Sequence, residues 1–175
     1  MKITNKTIDY KLKASDQNGI MRVIDDAADL QLPSIERLSD TIKGAGILGE
    51  IDLPSYGQFG SMALTINHRA DNPHYSMLSR PGEIKFEVVW TNDTLDSSDM
   101  SLRIQQNKVF MTGFNKKYDP GKVENGAAGD GSSEYEIVYY RKIVNGVETR
   151  LIDKLNGKDV VNGKDYMDSS RAALS

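Results

Sequence analysis

The sequence predicts an all-β fold, a sandwich or barrel of roughly seven or eight strands with one short helix and one long extended loop. Three observations lead to this prediction. Apolar residues recur at every second position in several segments, which is the period of a strand with two different faces. Asn-Gly pairs separate apolar runs near the C-terminus. Helical periodicity is scarce, so a sheet that alternates with long helices is not expected.

The first strand candidates in chain order are residues 20–24 and 34–42, which alternate weakly. The clearest strand covers residues 61–68. Its predicted inner face consists of four alternating side chains, Met62, Leu64, Ile66 and His68.

One short helix is expected directly after this strand. Asn72 is a good N-cap residue, and Pro73 fits the first helical turn. Tyr75 and Leu78 would then face the core. A second short helix is expected over residues 167–173 at the C-terminus.

The remaining strands are expected in the C-terminal half. Residues 83–91 alternate clearly, and a turn around Asn107-Lys108 is expected to join a strand pair over residues 101–106 and 108–114. Residues 134–143 place Tyr135, Ile137 and Tyr139 on one predicted face. The tight turns of the last hairpins are predicted from Asn145-Gly146, Asn156-Gly157 and Asn162-Gly163.

The chain has 175 residues, which fits a single domain spanning residues 1–175 with a proper core. The formal net charge is −3, so no bulk attraction to nucleic acid or to an anionic membrane is expected. The absence of cysteine excludes disulfides, thiolate nucleophiles and cysteine-type zinc sites. No apolar run has the length of a signal-peptide core or a membrane helix, so the chain is expected to be made and kept in the cytoplasm.

No catalytic, metal-binding or cofactor-binding constellation is found, so the chain is not expected to be an enzyme. Residues 44–49 match G-x-G-x-x-G, but a dinucleotide site needs a buried strand before these glycines and a helix after them. The preceding segment is polar, and Pro54 and Gly57 interrupt the following one. His68 and His74 are too isolated in the sequence for a metal site.

Two segments do not fit a compact sandwich. Residues 44–60 contain five glycines and a proline, yet they carry six large apolar or aromatic side chains. A long loop with such side chains usually has a partner that buries them. Residues 119–133 are polar and glycine-rich, so they are expected to form a mobile surface loop.

The order and spacing of several short motifs over about residues 20–175 resemble the major tail tube protein family of contractile-tailed phages and of related particles such as R-type bacteriocins. The motifs that carry the resemblance are Leu32-Pro33, Lys43-Gly44-Ala45-Gly46-Ile47, Tyr139-Tyr140-Arg141-Lys142-Ile143, Asn145-Gly146, Leu151-Ile152-Asp153 and Asn162-Gly163-Lys164-Asp165.

The resemblance implies a structural protein. Members of that family form hexameric rings, in which one sheet of each subunit joins its neighbours into a continuous β-barrel around a lumen. The rings stack into a tube inside a contractile sheath. A long loop that matches residues 44–60 reaches the adjacent ring and the neighbouring subunit. Its expected contact residues here are Gly44, Gly46, Ile47, Leu48, Ile51, Leu53, Tyr56 and Phe59.

The implied partners are further copies of the chain, the tail sheath protein, the baseplate or tube initiator and the tape-measure protein. The implied location is the virion tail, or a tail-like particle, assembled in the bacterial host cytoplasm, with no membrane binding by the isolated subunit. The channel would serve genome ejection or membrane puncture. DNA would pass without specific binding, and we expect a lumen without net positive charge because such a surface does not retain phosphates.

Three alternatives stay open. One is the tube of a type VI secretion-like system. Another is a monomeric β-barrel that binds a small ligand in an internal pocket. The third is a small carbohydrate hydrolase, for which no convergent carboxylate pair can be identified in the sequence.

Overall fold

Twelve strands and two short helices make up the fold, which a computed structural model describes for all residues 1–175. The elements are, in chain order, β1 (Lys2–Ser15), β2 (Met21–Val23), β3 (Ala27–Gln31), β4 (Arg37–Ile42), β5 (Ile51–Phe59), β6 (Ala63–His68), α1 (Pro73–Leu78), β7 (Ile84–Asp96), β8 (Ser101–Asp119), β9 (Gly131–Val144), β10 (Val147–Asp153), β11 (Lys158–Val161), β12 (Lys164–Asp165) and α2 (Asp168–Ala173). The predicted all-β class is confirmed, although there are more strands than expected because β1 and β3 were not predicted.

Ten of the strands form one antiparallel sheet. Its main path runs in the order β12-β11-β10-β9-β8-β7-β1-β2, and β6 joins it by pairing with β9 while carrying β3 on its other side. The Tyr10 hydroxyl of β1 donates to the Ala27 carbonyl of β3 at 2.8 Å, so β1 and the branch formed by β6 and β3 approach each other. The sheet does not close into a barrel.

The core is one cluster of 17 buried apolar side chains contributed mainly by β1, β6, β7, β8 and β9. The predicted inner face of residues 61–68 is confirmed, because all four of its side chains are buried. The predicted helix is confirmed as α1. The Asn72 side chain accepts the backbone N–H of His74 at 2.9 Å, and Tyr75 and Leu78 are fully buried. Neither α1 nor α2 has the length or apolar character that crossing a membrane requires.

Two strand predictions are wrong. The expected turn at Asn107-Lys108 is absent, and β8 runs through it. The Asn107 side chain is buried and donates to Asn92 at 2.7 Å, while β7 and β9 pair with β8 on both sides. The prediction that Tyr139 lies on the same face as Tyr135 and Ile137 is also wrong. A register shift in the β8–β9 pairing interrupts the alternation after Ile137, so Tyr140 is buried instead.

The Asn-Gly turns are placed as expected. Asn145 and Gly146 join β9 to β10 with φ values of 47° and 81°, and Asn162 and Gly163 join β11 to β12 with 48° and 81°. Two consecutive residues with positive φ form a tight turn whose twist matches that of the flanking strands. The segment predicted as a long loop at residues 44–60 is more regular than expected, because its second half is β5. The connection between β8 and β9 covers residues 120–130.

Candidate functional site

The β4–β5 hairpin stands apart from the main sheet, and we refer to residues 37–59 as the arm. β4 and β5 form a two-stranded sheet of their own, and neither strand pairs with any other. Both outer edges of the arm are therefore open. An isolated two-stranded hairpin is marginally stable in water, so the arm depends on what holds its root and on what covers its faces.

The two faces of the arm differ in chemistry. Ile42 lies opposite Ile51, and Asp40 lies opposite Leu53, so these side chains project to the same side. Alternation places Leu38 there as well. Four apolar side chains, each 41–54% exposed, form what we call the apolar face of the arm: Leu38, Ile42, Ile51 and Leu53. The carboxylate of Asp40 lies among them.

The opposite face of the arm is polar and satisfies its own hydrogen bonds. The Thr41 hydroxyl donates to the Asp52 carboxylate at 2.6 Å, and Ser39 lies opposite Pro54 on the same side. A polar face whose groups bond one another is suited to contact with solvent. An exposed cluster of aliphatic side chains on the other face is typical of an interaction site. The arm therefore has one face that lacks a partner.

The tip of the arm is the glycine-containing turn over residues 43–50. The Ile47 N–H donates to the Gly44 carbonyl at 3.1 Å, and Leu48 is fully exposed. Gly46 and Gly49 have φ values of 88° and 104°, a left-handed conformation that other residues rarely adopt. The literal G-x-G-x-x-G therefore forms a hairpin turn, with a strand after it instead of the helix that a pyrophosphate site requires.

A buried ion-pair cluster fixes the root of the arm. Asp159 of β11 is completely buried, and its two carboxylate oxygens accept from Arg37 at 2.6 Å and from Arg150 at 2.5 Å. Both guanidinium groups also lie over the ring of Phe59, at 5.0 and 5.8 Å from its centroid. β4 and β5 are thus tied to β10 and β11, at the edge of the main sheet opposite β1.

A second carboxylate holds the segment that leaves the arm. Glu136 accepts from the Ser61 hydroxyl at 2.5 Å and from the Met62 N–H at 3.2 Å, and it pairs with Lys154 at 3.4 Å. Lys154 also donates to the Gly60 carbonyl at 2.8 Å. Although burial opposes it, these donors hold the pKa of Glu136 below its ordinary value.

The C-terminal segment supports the arm from the other side. The Met167 side chain packs so closely on Gly57 that a Cβ there would overlap it. Arg171 donates to Asp165 at 2.5 Å, and this hydrogen bond lowers the pKa of the Asp165 carboxyl. An open groove of about 400 Å³ runs between the arm and this segment. It is lined by Arg37, Pro54, Ser55, Tyr56, Val161 and Tyr166.

The eight residues expected to make contacts between subunits do not all occupy comparable positions. Ile51 and Leu53 lie on the apolar face, and Leu48 and Tyr56 project into solvent with exposed fractions of 107% and 77%. Gly44, Gly46 and Ile47 belong to the tip. Phe59 differs from the rest, because it packs under two arginines of its own subunit.

Sequence reasoning missed the other half of the apolar face and the whole root. Leu38 and Ile42 lie on the same side of the strand, interrupted by Asp40, while Ser39 and Thr41 lie on the other; this was the available, weak signal for a two-faced strand. Nothing in the sequence pairs Arg37 with Asp159, because they are 122 positions apart and meet only through the fold.

The arrangement offers apolar surface and open strand edges, which are features suited to association between chains. No group of three or more His, Asp or Glu side chains lies close enough together to hold a metal ion. The family profile described as phage tail tube protein FII matches residues 17–174. The chain belongs to this family. It is therefore a structural tail tube subunit, a virion tail component that self-associates into a tube. A comparison with curated proteins gives no match.

Proposed function

We propose that the chain is the inner-tube subunit of a contractile phage tail or of a phage-tail-like particle, and that it assembles into stacked hexameric rings. The channel of the stacked rings serves genome delivery or membrane puncture. The observation that carries this proposal is the arm, a hairpin with an uncovered apolar face on a chain of the tail tube family. The arm reaches the adjacent ring and the neighbouring subunit.

Burial of the apolar face of the arm contributes a few kcal/mol to a contact between chains. Full burial of one Leu or Ile side chain contributes about 1.5–3 kcal/mol. The four side chains of the apolar face are already about half buried, so their complete burial adds roughly 3–6 kcal/mol. Ordering the tip costs about 1–2 kcal/mol for each residue that is fixed, so the gain outweighs this cost only if no more than about three of the tip residues become newly ordered on contact.

The open edges of the main sheet support ring formation. β2, at one end of the sheet, pairs only along residues 13–15 of β1, which leaves most of the outer edge of β1 without a strand partner. An edge of this kind is a template for pairing with another chain. A closed ring of subunits removes such edges, and a head-to-tail contact between rings produces an open filament.

The further partners of the tube follow from its place in the particle. The sheath protein surrounds it, the baseplate or tube initiator and the tape-measure protein meet its ends and its lumen, and DNA passes without specific binding in a true phage. Assembly takes place in the cytoplasm of the bacterial host. The lumenal surface carries no net positive charge in this proposal.

Negative-stain electron microscopy of the purified chain tests the proposal, with tubes or six-fold rings as the expected result. Leu53→Asp places a second carboxylate directly opposite Asp40 on the apolar face of the arm and should abolish tubes without unfolding the subunit, because Leu53 is half exposed. Ser39→Asp places the same charge on the polar face of the same hairpin and should leave tubes intact. Normal tubes from Leu53→Asp would remove the arm from the proposal.

The alternatives make different predictions. A type VI secretion-like tube or a bacteriocin lacks a packaged genome, so capsid and terminase genes beside this gene would favour a phage. A monomeric ligand-binding barrel requires a closed barrel with an internal pocket, but the sheet here is open and the grooves lie on the surface. A persistent monomer at high protein concentration on a sizing column would favour that alternative.

A further inference from the structure

A second projecting element lies at the opposite edge of the sheet from the arm. Beyond the core, three strand ends continue side by side, namely residues 2–9 of β1, 91–96 of β7 and 101–106 of β8. We call these residues the terminal ribbon. β9 turns back at Asn145, which is next to Gln106, so no further strand accompanies the ribbon. Six residues of strand correspond to a projection of about 20 Å.

One face of the terminal ribbon is a chain of amide hydrogen bonds. Gln105 donates to Asn107 at 3.1 Å, Asn107 donates to Asn92 at 2.7 Å, and Asn92 donates to Thr7 at 3.2 Å. Thr4 continues this face, since it lies opposite Thr94. These groups satisfy one another across the strands and do not require a partner.

The other face of the terminal ribbon is largely apolar; the carboxylate of Asp93, which lies there opposite Ile104, accepts from the Asn5 side chain at 2.8 Å and from the Lys6 N–H at 3.0 Å. Ile3, Leu95 and Leu102 lie directly opposite one another across the three strands, and Ile104 follows two residues later on the same side. Leu102 is 77% exposed and Ile104 is 68% exposed. No other element covers this side. The ribbon therefore repeats the pattern of the arm, with one self-satisfied polar face and one uncovered apolar face.

We propose that the apolar face of the terminal ribbon is the docking surface for the apolar face of the arm of a second copy of this chain. The inference rests on the proposed function, because it identifies the surface that receives the arm. Membership of the tail tube family indicates that the binding partner is another copy of this chain, because tube subunits associate with one another. Both elements are antiparallel ribbons, and each carries four aliphatic side chains on its uncovered face with an aspartate among them, Asp40 or Asp93.

The positions of the two elements favour contact between copies over contact within one copy. The root of the arm is tied to β10 and β11, whereas the ribbon extends from β1, β7 and β8, on the far side of β9. A contact between different surfaces of two identical subunits is head-to-tail; it closes into a ring when the rotation between subunits closes and otherwise repeats as an open filament. The ribbon face covers only about 300 Å² when its strand length and spacing are multiplied. It is thus smaller than the roughly 800 Å² per partner of a stable complex, so it acts together with other contacts between the subunits.

The absence of cysteine allows a direct test by disulfide cross-linking. Leu53→Cys and Leu102→Cys variants are mixed under assembly conditions and oxidised briefly. We expect the mixture to form cross-linked dimers at least about tenfold more than a matched mixture of Ser39→Cys and Thr4→Cys, which lie on the two polar faces; tenfold corresponds to about 1.4 kcal/mol. Equal cross-linking in the two mixtures would refute the pairing of arm and ribbon.

Microscopy of charge variants separates this inference from the proposed function. Leu102→Asp should abolish tubes, whereas Thr4→Asp on the polar face of the ribbon should preserve them, with unchanged thermal unfolding of both subunits. If the unmodified chain forms tubes and Leu102→Asp forms them equally well, the docking inference fails and the proposed function stands. If the unmodified chain forms neither rings nor tubes, the proposed function fails with it.

Discussion

Replacing Asp159 by Asn should be the most destabilising conservative change at the root of the arm. The side chain is 1% exposed, and it accepts from Arg37 at 2.6 Å and from Arg150 at 2.5 Å. Removing one partner of a buried ion pair costs about 3–5 kcal/mol, because the other charge stays buried without compensation. Arg37 is 34% exposed and regains some water, so the lower end of this range, about 3 kcal/mol, is expected.

Thermal unfolding of the monomeric fraction measures this effect. For a chain of this size, about 3 kcal/mol corresponds to a fall in Tm of roughly 6–12 °C. Hydrogen exchange of the arm amides should accelerate as well, because the root holds the two strands in place. Glu50→Gln is the matched control. It removes a carboxylate from the same hairpin, but its pair with Lys43 is exposed on both sides and contributes less than about 1 kcal/mol.

If Asp159→Asn and Glu50→Gln lower Tm by the same amount, the buried ion-pair cluster around Asp159 does not hold the arm. A large loss of Tm for Asp159→Asn with unchanged exchange of the arm amides would place the stabilisation in the main sheet instead of in the arm.

Two further predictions concern Glu136 and the glycine beside it. Because the pKa of Glu136 is lowered in the folded chain, its contribution is complete above its unfolded value of about 4.5 and is lost as the pH falls through the lower folded value. Glu136→Gln should therefore lower Tm at pH 7 and have a smaller effect below pH 4; a constant difference across this range would contradict the assignment. Gly113→Ala should cost about 1–3 kcal/mol, since its Cβ would overlap the Glu136 carbonyl oxygen, whereas Gly44→Ala meets nothing and should be neutral in denaturant unfolding. Equal stability of the two alanine variants would show that β9 can move away.

Prediction from sequence succeeded where a local rule has one physical solution. The alternation in residues 61–68 admits one buried face, and the structure buries it. Asn72 and Pro73 specify the start of a helix, because a side-chain acceptor and a residue without an N–H suit its first turn. Asn145-Gly146 requires two left-handed residues and therefore a tight hairpin.

Prediction from sequence failed where neighbouring strands in the fold determine the local conformation. The Asn107-Lys108 pair has the polarity of a turn, but hydrogen bonds from β7 and β9 keep it in a strand. The register shift between β8 and β9 exchanged Tyr139 for Tyr140 in the core, and one inserted residue cannot be read from the alternation of a single strand. β1 was missed even though Ile8, Tyr10, Leu12 and Ala14 alternate with polar residues in its second half. Its first residues lie in the terminal ribbon, where no core imposes such a pattern.

The sequence by itself determined that the chain is all-β, that it has short turns at its Asn-Gly pairs and that residues 44–60 carry more apolar surface than a free loop needs. These properties depend on local conformation and composition. Only the tertiary structure decided that this segment is half of a two-faced arm, that Asp159 and Glu136 fix its root and that a terminal ribbon with the same two faces lies at the other edge of the sheet. Such properties depend on which residues distant in the chain become neighbours, and pairing across many strands is set by the fold as a whole.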